Sequence, residues 1–233
     1  MGWRAARTLL VCIVVVVCLP SRRPELFVAV FAAAVACAQG AGAQTAAARP
    51  TGIFLRSGVT VSGFDLDSMT FRLQGRAASH TMATDPPSFT GKQLSLGREW
   101  LVGASVGAHV DGPWFYVRIG ADFYTNPQVI DGFAIRSTTL GWISAGPRFV
   151  FGPFTVLGGV RVGALLADMA YTRDGAQREY TGLGSLYGLD VGAQWRPFRW
   201  VQIDAAVGQD FLGSLTATTF ALSANVGWSA IAR

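Results

Sequence analysis

Asp122, Asp190, Asp204 and Asp210, with Arg56, Arg118, Arg148 and Arg161, are the side chains of this sequence best suited to proton chemistry. Carboxylates whose surroundings push their proton affinities apart can serve as an acid and base pair. The same eight groups have a simpler use. Opposite charges in matched number can neutralise one another inside a fold, where a buried charge is tolerated only when paired and hydrogen-bonded. The simpler use is the one adopted here. His109 lies two residues from Asp111, and His80 follows Ser79. A serine adjacent in sequence to a histidine does not specify a nucleophile and its base. Asp65-x-Asp67 is the one acidic pair with cation-ligand spacing, and alone it is a weak cation site. Cys12, Cys18 and Cys37 all fall in the first 37 residues. Loss of that segment removes every thiol, and with them disulfides, thiolate metal sites and cysteine catalysis. No catalytic group, cofactor or metal is expected.

The elements that must position these charges show themselves by alternation. In Trp114–Tyr124, Phe115, Val117, Ile119, Ala121 and Phe123 occupy one face; Trp114, Tyr116, Arg118, Gly120, Asp122 and Tyr124 occupy the other. Period-2 alternation means a strand with two chemically different faces. About ten residues is also the length a tilted strand needs to cross a bilayer's hydrocarbon. The pattern recurs over 53–64, 100–110, 138–151, 154–166, 187–195, 201–211 and 220–228, which makes eight strands. In each, Val, Ile, Leu, Phe or Trp opposes Gly, Ser, Thr, Gln and the charged residues. His109 and Gln194 join the polar face. Pro147 interrupts the fourth strand and predicts a bulge or a locally missing bond. Residues 65–92 are the longest stretch without periodicity, and 126–137 and 172–181 are read as further loops.

Eight strands enclose only enough room for side chains to fill. Small residues and compact ion pairs fit such a lumen; eight rows of large apolar side chains do not. A soluble barrel of this size has the reverse arrangement, apolar inside and polar outside. Turning the four arginines toward lipid instead would cost about 2–4 kcal/mol each at mid-bilayer. That total rivals the 5–15 kcal/mol typical of a whole domain's stability. The polar face therefore points in, and an outside this apolar requires lipid. Trp100, Tyr124, Tyr171 and Phe211 are placed near one barrel end as an interfacial girdle, and Phe149, Phe151, Phe154, Trp195 and Trp228 near the other. Short turns join strands two to three, four to five and six to seven, with longer connections opposite, so the termini belong on the short-turn, periplasmic side.

The net charge of +5 does not describe this part of the chain. Arg4, Arg7, Arg22, Arg23 and Glu25 precede residue 44, leaving 15 basic and 13 acidic residues with no basic run to suggest nucleic acid. Residues 1–43 hold two apolar blocks, 9–19 and 26–38, each the length of a signal-peptide core. Arg22 and Arg23 precede the second block, and Ala41-Gly42-Ala43 offers a small-x-small cleavage pattern before Gln44. Residues 1–43 are thus read as an export signal with an extended basic region, 44–51 as a short periplasmic lead, and 52–233 as the barrel.

In strand number and patterning, residues 52–228 resemble the small eight-stranded outer-membrane proteins of Gram-negative bacteria, the OmpA/OmpX/OmpW-like group. The resemblance implies an all-β, antiparallel, up-and-down transmembrane barrel in the cell outer membrane, with a side-chain-filled lumen. It implies outer-membrane lipids, lipopolysaccharide and the barrel-assembly machinery as partners, and a role in envelope integrity or surface recognition, with 65–92 as the place for a surface ligand. A narrow channel for ions or small solutes is the alternative. A lipid A-modifying enzyme stands behind both. In that group the last strand ends on an aromatic residue, whereas here Ser229–Arg233 follow Trp228.

Overall fold

Alternation becomes a closed ring of hydrogen bonds. The computed structural model describes residues 50–74, 87–125, 128–130, 132–173, 175–212 and 216–231. Its strands are β1 (Pro50–Asp65), β2 (Thr70–Leu73), β3 (Ser88–Thr90), β4 (Arg98–Asp111), β5 (Phe115–Tyr124), β6 (Gln128–Ile130), β7 (Phe133–Phe151), β8 (Phe154–Arg173), β9 (Ala176–Phe198), β10 (Val201–Leu212) and β11 (Ala217–Ile231). Eight of them follow one another around the wall in the order β1-β4-β5-β7-β8-β9-β10-β11. The first and last close the ring antiparallel, from Pro50↔Ile231 to Phe64↔Ala217. Closure satisfies every wall strand on both sides, which backbone amides facing lipid require. Among the described residues, no helix is long and apolar enough to cross a membrane.

Sidedness follows the pleat. Ile53, Leu55, Val59, Val102, Val106, Ile119, Phe123, Val160, Leu222 and Val226 are exposed on the outer face. Arg118, Asp122, Asp204 and Asp210 are at most 2% exposed. A broad outer belt of exposed Val, Ile, Leu, Phe and Trp around a charged interior is the reverse of a water-soluble barrel, and a lipid environment accounts for it.

At Pro147 the β7–β8 ladder breaks and resumes in the same register, with Ala145↔Val160 on one side and Arg148↔Leu157 on the other. A proline has no amide hydrogen to donate, so a bond is lost and no residue is inserted. The bulge of β7 lies between Ile135 and Ser137 instead.

The long-loop end is more ordered than the sequence patterning indicates. Residues 172–181 are not a loop. β8 and β9 run on, paired as far as Arg173↔Ala176. Of 126–137, Gln128–Ile130 pair with Phe133–Ile135 as a hairpin. Residues 65–92 contain β2, β3 and two 3-10 turns at Leu66–Ser68 and Gly91–Leu94. Thr70–Leu73 pair with Leu183–Tyr180 of β9, so the segment is part of the sheet. Periodicity failed to mark these pieces because three or four residues are too few to show it. His80, Ser79 and the N-terminal residues 1–49 lie outside the described residues.

Candidate functional site

The lumen has two layers of opposite chemistry. In the layer toward the short turns, each arginine is placed by a wall strand and aimed across the barrel. Arg118 on β5 donates from Nη2 to Asp204 Oδ2 on β10 at 2.8 Å, with the two side chains at most 1% exposed. Arg161 on β8 stands 3.8 Å from Asp122 Oδ2. Arg56 donates from Nε to Ser223 Oγ at 2.8 Å. The guanidinium carbons of Arg56 and Arg161 each lie 5.1 Å from the ring centre of Trp142. The indole of Trp142 in turn donates to Asp122 Oδ2 at 3.0 Å. Asp190 on β9 accepts from the Tyr116 hydroxyl at 2.9 Å and from Ser144 Oγ at 2.8 Å. The cavity left among Arg56, Arg118, Asp122, Arg161 and Asp190 is about 20 Å³, room for roughly one water molecule.

A second cluster sits at the short-turn end, around Asp111. Its Oδ2 accepts from Arg196 Nη2 at 2.8 Å and from Gln202 Nε2 at 2.9 Å. Arg148 lies 3.6 Å away and donates to the Gly112 carbonyl, and His109 lies 3.8 Å away while stacking on Phe54. Gln194 approaches Gln202 at 3.5 Å. Asp210 is buried too, but neither of its oxygens meets a donor among the described residues. Across both clusters five arginines face five aspartates, so the interior is close to neutral, as its burial demands.

The other half of the lumen is apolar. Leu101, Tyr124, Ile135, Leu140, Trp142, Leu165, Ala167, Met169, Tyr180, Leu186 and Ala217 line the wall, and Phe64, Leu66, Met69, Phe71, Phe89 and Leu96 fill the space between them. Phe71 stacks on Phe89, which meets Tyr180 edge-on. Gly182 makes room for this packing, since a Cβ there would come within 2.6 Å of the Phe71 ring. Tyr124 and Trp142 stand where the layers meet. The Tyr124 hydroxyl is 2.7 Å from Ser62 Oγ, which donates to Thr219 Oγ1 at 2.9 Å.

All ten polar residues picked from sequence, Arg56, His109, Arg118, Asp122, Arg148, Arg161, Asp190, Gln194, Asp204 and Asp210, lie buried on inward faces. The set divides into the central group and the Asp111 group, which Arg148, His109 and Gln194 join. The aromatic assignments need two corrections. Tyr124 is 1% exposed inside the lumen, because it shares the face of Arg118 and Asp122. Tyr171 stacks on Phe133 at 4.2 Å and packs against the apolar layer, because it falls on the inward face of β8 with Leu165 and Met169. Trp100, Phe154, Trp195 and Trp228 are exposed, Phe149 and Phe151 half-exposed, and the Phe211 side chain lies outside the described residues.

Sequence reasoning missed Asp111, Arg196 and Trp142, and it set Tyr116 on the inward face without naming its partners, Ser144 and Asp190. Asp111 was legible, since it continues the inward face of His109, but the Gly112-Pro113 turn draws it into a loop. Trp142 also shares the inward parity of Ser144; its bulk makes it look lipid-facing.

Among solved structures, the barrel is similar to Neisserial surface protein A, with a TM-score of 0.51 at 11% identity over 76% of this chain and 97% of that one. The fold is that of the small eight-stranded outer-membrane β-barrels. Ail, the attachment invasion locus protein of Yersinia pestis, solved with the heparin analogue sucrose octasulfate, gives a TM-score of 0.47 at 12% identity over 77% and 99% of the two chains. No family model matches the sequence of this barrel. No curated protein matches it either. The likeness is thus one of fold.

Proposed function

We propose that this chain is an integral outer-membrane barrel with a shut lumen, acting in envelope integrity or surface recognition through its long-loop end. One observation carries the reading: the pocket among the central charges, Arg56, Arg118, Asp122, Arg161 and Asp190, holds about 20 Å³, and an apolar layer lies beyond it. A hydrated ion needs far more room than one water. The long-loop end is then extracellular and the short turns periplasmic, as in barrels of this class. Residues 1–43 serve as the export signal with cleavage after Ala43, lipopolysaccharide and phospholipid contact the apolar belt, and the barrel-assembly machinery inserts the chain. The name of Neisserial surface protein A is in keeping with a surface role. No enzymatic activity is assigned: Asp111, Asp122, Asp190 and Asp204 serve as partners for arginines, hydroxyls, an indole and an amide.

Planar-bilayer recording tests the reading. A barrel that is shut gives no steady single-channel current; steady unitary current from the purified protein sinks the proposal and leaves the narrow channel in its place. The feature favouring that alternative is Asp210, a buried carboxylate without a donor among the described residues, beside a network whose Arg161–Asp122 contact is open at 3.8 Å. Transfer or removal of an acyl chain on lipid A by the purified barrel would overturn both.

A further inference from the structure

The wall is uneven at its long-loop end. β9 is 23 residues long and β10 only 12. The last residue of β9 that β10 covers is Tyr187, opposite Leu212. Beyond it β9 would present an open edge in the apolar half of the barrel. β2 takes that edge over, pairing Thr70↔Leu183 through Leu73↔Tyr180. Gln74 extends the join: its amide bonds the Glu179 carbonyl at 2.9 Å, and its side chain reaches Asp168 at 3.1 Å and Thr181.

To get there, the chain leaves the wall at Asp65 on β1, and β10 and β11 are the two wall strands between β1 and β9. It returns at Arg98, which pairs directly with Asp65. Everything between is therefore an insertion into a hairpin that would close without it. Both legs of the insertion are fastened. Asp65 bonds Thr216 through its amide, Leu66 bonds the Gly97 carbonyl, and Asp67 accepts from the Gly97 amide. Thr90 and Gln93 cap the second 3-10 turn reciprocally. Leu66, Met69, Phe71, Phe89 and Leu96 turn inward and are at most 8% exposed.

We propose that the two described legs of this insertion, 66–74 and 87–97, are a latch. The described legs plug the long-loop half of the lumen with the chain's own side chains and give β9 the strand partner that β10 is too short to supply. The wall itself contributes an apolar cup, and the latch is its occupant. This goes beyond the shut-lumen reading, since it names which segment closes which half.

Labelling at a buried wall position tests it. Residues 44–233 contain no cysteine, and Leu165 is fully buried beneath the insertion. In the full-length Leu165→Cys protein, a water-soluble maleimide should react slowly. With residues 66–97 replaced by a turn of about four residues, which suffices for a hairpin of facing strands, labelling should accelerate at least a hundredfold. The same replacement should lower the temperature at which the barrel loses its heat-modifiable gel migration. In the otherwise intact chain, an Arg72→Cys, Thr181→Cys disulfide across the facing β2 and β9 positions should raise it. A shortened barrel that folds yet labels as slowly as the parent overturns the plug. A disulfide that forms without shifting the transition overturns the strapping of β9. Should the shortened chain fail to fold, Phe71→Ser in the full chain carries the labelling test, with at least a tenfold acceleration expected and none overturning the proposal. Labelling reads the long-loop half alone. A shortened barrel that labels as slowly as a parent that is silent in a planar bilayer overturns the plug and leaves the shut-lumen reading to the charged layer.

Discussion

The two halves of this lumen solve one problem with opposite chemistry. The half toward the short turns is filled by wall side chains alone: arginines and aspartates reaching across from facing strands, as Arg118 reaches Asp204. The other half is filled by an insertion, with Phe71, Met69 and Phe89 packed against wall residues such as Leu140 and Leu165. Charges suit the first because a narrow barrel brings facing strands within reach of a long side chain. They specify who meets whom, and their net contribution to stability is small once desolvation is counted. Apolar packing suits the second because it adds stability in proportion to area and tolerates an irregular segment.

Substitutions separate the two halves by size and by rescue. Phe71→Ala in the apolar half should cost about 3–5 kcal/mol, as for other buried aromatics, read as a lower urea midpoint for heat-modifiable folding in lipid vesicles. Arg118→Ala should cost about as much, because Asp204 is then left as a buried charge. The rescue differs. Replacing both partners, Arg118→Met with Asp204→Leu, should return most of the loss, whereas no apolar partner change should rescue Phe71→Ala. A double variant as unstable as Arg118→Ala alone would break the comparison. On the outer face, Ile119→Arg should cost about 2–4 kcal/mol near mid-bilayer, a value that sharpens which depth β5 occupies. At the boundary, Tyr124→Phe removes the hydroxyl's bond to Ser62 and its longer one to Thr60 and should cost about 1 kcal/mol. Smallest of all is Arg136→Ala. Its pair with Glu179 is half exposed on both sides, so the midpoint should move by no more than about 0.5 kcal/mol.

Legibility followed the same division. Arg118, Asp122 and Asp204 announced themselves because each sits in an alternating run long enough to fix its face, and a charge on an otherwise apolar strand is conspicuous. Asp111 and Arg196 did not, because each borders a turn where alternation stops counting. Tyr124 and Tyr171 were misplaced as girdle residues because aromatic character and position near a strand end outweighed parity, which placed both inside. The latch was the least legible part. Its buried residues Leu66, Met69, Phe71, Phe89 and Leu96 follow no period, since strands of three or four residues flanked by single turns of 3-10 helix impose none.

The sequence by itself determined the eight strands of the wall, the inward face of its charged residues and therefore a charged layer inside an apolar belt. Period-2 alternation is a local property of the chain, and eight repeats of it leave one way to satisfy both lipid and backbone. Partners were decided only by the tertiary structure. Which arginine meets which aspartate depends on barrel shear, and the filling of the outer lumen depends on Thr70–Leu73 pairing with β9 and bringing Met69 and Phe71 inward. Both are contacts between residues distant in sequence, where local pattern carries no information about what lies opposite.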